Sequence, residues 1–140
     1  MSERTHTYST ICWILAICFA VVLAGLAFTP DLLATVMEEA GGLVGLRGDI
    51  AVGAGSLAHA LALSLMATIT YLAVAGAKNP ESLVAYRALM TAKIMSTFVF
   101  LFLTVTAASI WLLPTITDAS VIVVLVLARG SLPDSDRATA

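Results

Sequence analysis

The stretch Val121-Ile122-Val123-Val124-Leu125-Val126-Leu127 has two readings, and the choice between them decides the fold. In water a run this rich in β-branched residues favours a strand. In lipid an open strand leaves its backbone N–H and C=O groups without partners, so a helix is required. The rest of the chain selects the solvent. Of 140 residues, 60% are hydrophobic and 11% charged, and mean hydropathy is +1.01. A soluble domain is about half apolar and about a quarter charged, so this chain has too little polar surface to cover itself. Lipid is the expected solvent for most of it. A net charge of −2 leaves no basic footprint for nucleic acid.

Working outward from that stretch, crossing about 30 Å of hydrocarbon takes about 20 helical residues. Residues 10–28 form the first expected span, without a charge inside. It exceeds the apolar core of a signal peptide and is followed by further spans, so it reads as a retained signal-anchor. Residues 50–77 form the second span, and residues 86–113 the third, with an amphipathic lead-in from Glu81. Residues 115–129 form the fourth, which crosses if Arg129 reaches back to the headgroups; a short half-inserted helix is the alternative.

Charge separates these alternatives. With four spans and the N-terminus inside, Arg4, Lys78, Arg87, Lys93, Arg129 and Arg137 fall on the cytoplasmic side. Arg47 falls outside, together with Asp31, Glu38, Glu39, Asp49 and Asp118. Cations gather inside in this way in multi-pass proteins, and a three-span layout would move Arg129 and Arg137 outside. Tyr8, Trp13, Tyr71 and Tyr86 sit near the inner boundary, Phe28 and Trp111 near the outer. The expectation is an all-α, four-helix transmembrane bundle with residues 1–9 and a disordered tail, 130–140, in the cytoplasm.

The connections have their own signals. Thr29-Pro30-Asp31 reads as a helix start with Thr29 as N-cap and Pro30 in the first turn. Leu32, Leu33, Val36, Met37 and Ala40 share one helical face, while Asp31, Thr35, Glu38 and Glu39 occupy the other. Residues 30–40 should therefore form an amphipathic surface helix, ended by Gly41-Gly42. Asn79-Pro80-Glu81 reads as a second start, with Asn79 as N-cap.

Few residues could carry chemistry. Cys12 and Cys18 lie on different faces of one helix and cannot bridge within it. His59 is the residue expected to titrate near neutral pH inside a span, which makes it the candidate ligand-binding group. Its depth depends on where hydrocarbon begins, and a neutral imidazole bonded to a neighbouring helix is the plainer role. Ser56, Ala60, Ser64 and Thr68 form a stripe of small residues suited to close helix packing, within the bundle or between copies. Ser96, Thr97, Thr104, Thr106 and Ser109 are expected to bond back to their own helix or to neighbours. Lys78, Arg87, Lys93 and Arg129 are expected at lipid phosphates.

Missing features narrow the field further. Spans one to three hold no carboxylate of the kind a small drug/proton antiporter needs. No CxxC pair serves disulfide chemistry, and a b-type haem would require His59 from two copies. No P-loop, HExxH or GxSxG occurs, and no cofactor is identified.

Three segments carry a family resemblance: Phe28-Thr29-Pro30-Asp31-Leu32-Leu33 after span one, Leu46-Arg47-Gly48-Asp49 entering span two, and Asn79-Pro80-Glu81 between spans two and three. In the order of these parts, over roughly residues 10–128, the chain resembles the DoxX-like group of small four-helix bacterial membrane proteins. The resemblance implies a bacterial inner-membrane bundle and, for some relatives, association with sulfur or quinone redox systems. It carries no functional residue over. The expected function is a non-enzymatic membrane subunit or accessory protein, with the bilayer and either a second copy or other membrane subunits as partners. The alternative is a small transporter or redox-linked carrier that uses His59.

Overall fold

The computed structural model describes residues 3–48 and 57–130. Among them are helices α1 (Glu3–Phe28), α2 (Pro30–Leu43), α3 (Leu57–Lys78), α4 (Leu83–Thr106) and α5 (Leu112–Gly130), with a short 3-10 turn at Ser109–Trp111 before α5. The described residues contain no strand, and Val121–Leu127 lies wholly within α5. Four of the helices are long and apolar enough to cross a membrane by length and composition.

The chain runs up and down. At one end Ser9 Oγ donates to Ala77 O at 2.7 Å, and the Arg129 guanidinium donates to Pro80 O at 2.5 Å and Glu81 O at 3.2 Å. The start of α1, the α3–α4 turn and the close of α5 therefore meet there. At the other end Arg47 N donates to Ser109 Oγ at 2.9 Å, and that hydroxyl donates to Arg47 O at 3.1 Å. The segment after α2 is thus tied to the α4–α5 turn. α5 travels the full length of the bundle, and with the turn before it is long and apolar enough to cross a membrane.

Tyr8, Cys12, Ala16 and Phe19 of α1 form the core with Ile69, Ala73 and Ala77 of α3, Leu89 of α4, and Val121, Leu125 and Ala128 of α5. Alanines on α3 allow a close approach to α1, and Gly76 faces Cys12 Sγ and the Tyr8 hydroxyl. Cys12 is buried and Cys18 exposed, as their spacing on one helix requires. Outside this seam the helices present large apolar side chains such as Ile17, Val21, Phe98, Phe102 and Leu127.

Several boundaries differ from expectation. α1 begins at Glu3, because nothing in Thr5–Thr10 breaks a helix and Tyr8 packs inward. α2 continues through Gly41-Gly42 to Leu43. Gly41 instead serves a close approach, since a side chain there would run into Ile110; the chain turns later, at Gly45 with φ of 77°. Thr29 holds the N-cap position of α2 without capping it, its hydroxyl donating back to Gly25 O. The cap of α4 is Ser82, whose Oγ accepts from Ala85 N at 3.3 Å, so Asn79-Pro80-Glu81 forms a turn ahead of the helix. The third span ends at Thr106 rather than 113, and Pro114 sits in the first turn of α5, where its missing N–H costs nothing. Residues 50–56 of the expected second span and the tail 131–140 lie outside the described residues.

Candidate functional site

The antiparallel pairing of α4 and α5 brings Lys93 and Asp118 together across the Ala107–Ala108 break. Lys93 Nζ donates to Asp118 Oδ1 at 2.6 Å, and both side chains are buried. The Ser96 hydroxyl, one turn beyond Lys93, is hydrogen-bonded to Asp118 Oδ2 and lies 3.1 Å from Lys93 O. The Lys93 ammonium also stands 4.4 Å from the centre of the Phe19 ring on α1. Both carboxylate oxygens are thus engaged, and the ammonium has an anion beside it and a π face against it. In a low-dielectric interior each unpaired charge would cost several kcal/mol, so the two partners need each other.

This geometry corrects two expectations. Lys93 does not extend to a headgroup: its ammonium turns inward because a carboxylate waits there. Asp118, counted above among the outside acids, is instead a buried residue of α5 that turns into the bundle.

Arg129 is the third correction. Its side chain is buried, and its guanidinium lies 5.7 Å from the Tyr8 ring and 5.4 Å from the Tyr86 ring. The α3–α4 turn leaves the carbonyls of Pro80 and Glu81 without helical partners, and the planar fork of arginine satisfies both at once. Lys78 and Arg87 remain exposed at the same end.

His59 is buried near the start of the described part of α3. Ala60, Ser64 and Thr68 are exposed, and Thr68 Oγ1 donates back to Ser64 O at 2.9 Å. They lie opposite Ile69, Ala73 and Ala77, so this stripe does not pack the bundle internally. Ser56 is outside the described residues. Thr97, Thr104 and Thr106 bond to their own helix as expected, whereas Ser96 reaches Asp118 on α5 and Ser109 ties its turn to Arg47.

Sequence reasoning missed Asp118 as Lys93's partner, although one signal was present. Two opposite charges, each inside an apolar run and 25 residues apart, flank a single reversal of the chain. Comparison with protein-family models, with curated proteins and with solved structures finds no match.

Proposed function

We propose that the chain is a non-enzymatic membrane subunit, a bundle that crosses the bilayer four times and works through helix–helix contact in a homo-oligomer or larger assembly. One observation carries this reading: Ala60, Ser64 and Thr68 face outward, while Lys93, Asp118 and Arg129 find their partners inside the chain. Lipid offers no hydrophobic force between helices, so close approach along small residues is a main source of association. The bacterial inner membrane, with both termini cytoplasmic, is the setting that the DoxX-like resemblance and the cation distribution favour. Ser64→Leu places a bulky side chain in the middle of the stripe without touching the core. The variant should insert normally and lose its oligomer or co-purifying subunit in mild detergent. An unchanged particle size and partner set would contradict the reading.

A second reading rests on a different observation, the carboxylate at Asp118 within an apolar span. Embedded carboxylates serve proton exchange in small transporters, and Asp118 is better placed for that than His59 was expected to be. Proton flux in vesicles that Asp118→Asn abolishes would favour this reading; flux unchanged by Asp118→Asn, or no flux at all, would remove it.

A further inference from the structure

A cleft of about 250 Å³ opens between the start of α1 and the α3–α4 turn, lined by Thr5, Lys78, Asn79, Pro80 and Glu81. We propose that it binds the headgroup of an amine-bearing zwitterionic phospholipid, with Lys78 on the phosphate and Glu81 on the primary ammonium. The inference rests on the four helices crossing a bilayer, and not on the subunit reading.

Three features point to that ligand. The first is charge. Lys78 and Glu81 are both exposed, line one cleft and form no salt bridge with each other. A purely anionic headgroup would meet Glu81 as a like charge. A zwitterion places opposite charges against both, and the Asn79 amide between them can donate to phosphate or accept from an amine. A primary ammonium brings three N–H donors to Glu81 and Asn79, whereas a quaternary trimethylammonium brings none. The cleft should therefore distinguish ethanolamine from choline headgroups.

The second feature is rigidity. Asn79 N donates to Ala75 O at 2.9 Å and Ser82 N donates to Asn79 O at 3.0 Å, closing the turn from both sides. Arg129 holds the carbonyls of Pro80 and Glu81 from beneath. The backbone carrying the charged lining is fixed before any ligand arrives, which lowers the entropy lost on binding.

The third is position. The cleft lies at the end of four apolar helices, at headgroup level in a bilayer. Tyr71 sits two turns from Lys78 on the same face of α3 and is 71% exposed, and Val84 on the first turn of α4 is 80% exposed. An aromatic ring at this depth suits the boundary between headgroup and acyl chain, and the apolar surface beneath offers a track for acyl chains. A free amino-phosphate would gain nothing from those two side chains.

The test is lipid retention by native mass spectrometry, after reconstitution from vesicles holding equal amounts of phosphatidylethanolamine, phosphatidylcholine and phosphatidylglycerol with the same acyl chains. The wild type should retain phosphatidylethanolamine preferentially. Glu81→Gln should lower its preference over phosphatidylcholine by about threefold, the scale of one partly exposed charge contact. Lys78→Gln should weaken retention of every phospholipid. Both positions are exposed and outside the core, so neither variant threatens folding. Preference for phosphatidylglycerol, or a preference that Glu81→Gln leaves intact, would overturn the assignment. Equal displacement by glycerophosphoethanolamine would show a soluble ligand and overturn the lipid. A chain that retains no phospholipid would fail at the level of the membrane itself, whereas one that retains phospholipid without headgroup preference would fail only at this cleft.

Discussion

Lys93 and Asp118 show what one residue costs when its partner is removed. The pair is closed on every side that its contacts define: ammonium to carboxylate, carboxylate to the Ser96 hydroxyl, ammonium to the Phe19 ring. Asp118→Asn leaves a buried cation facing a neutral amide, and the expected loss is about 3–5 kcal/mol of bundle stability. Lys93→Met combined with Asp118→Leu removes both charges and supplies apolar volume, so it should recover most of that loss. Denaturation in mixed micelles measures both; an Asp118→Asn protein as stable as the wild type would show that the charges are not coupled. Lys93 was legible as a cation beside an apolar run, but a side chain long enough to reach a headgroup can also turn inward. Only the location of Asp118 decides between these, and location belongs to the hairpin rather than to either residue. The same holds for Arg129, whose two acceptors are backbone carbonyls 49 and 48 residues away, invisible to any reading of side-chain types.

At the scale of elements, the helices themselves were legible because apolar runs of sufficient length admit no other structure in lipid. Their ends were less so. The α2 start was placed correctly by Thr29-Pro30-Asp31, because proline is pre-set for the first turn. Its end was misplaced because glycine can mark either a terminus or a close approach, and Gly41 does the second beside Ile110. The α3–α4 turn reads in sequence with Asn79 as the cap, and the structure uses Ser82 while Arg129 braces the turn from α5. That brace is testable. Arg129→Ala should raise hydrogen exchange at the amides of Asn79 and Ser82 by about tenfold, the scale of losing one charged hydrogen bond. Arg129→Lys should fail to restore protection, since a point charge cannot fork across two carbonyls. Protection equal to wild type in Arg129→Ala would mean that the turn stands without it.

For the whole molecule, the decisive pattern is that every long helix carries an apolar face beyond what the bundle covers. The core seam is narrow, built largely from alanines and a few larger side chains, while Ile17, Val21, Phe98, Phe102 and Leu127 remain outside. Such a surface is consistent with lipid and gives the bundle no reason to be stable in water. The cation distribution that suggested both termini inside retains Lys78 and Arg87, now joined by the structural fact that the start of α1, the α3–α4 turn and the close of α5 share one end. Lys93 no longer contributes to it. The stripe on α3 was legible as a packing surface, but not its direction, because a helix face shows its partner only once the other faces are occupied.

The crossing of α3, which sets the alternation of the other helices, is tested most directly by labelling intact cells with a membrane-impermeant maleimide. Single cysteines are placed at Arg47→Cys or Lys78→Cys in a chain whose Cys12 and Cys18 are replaced by serine. The reagent should modify position 47 from outside and reach position 78 only after the membrane is permeabilised. Modification of both positions in intact cells, or of position 78 alone, would contradict the account.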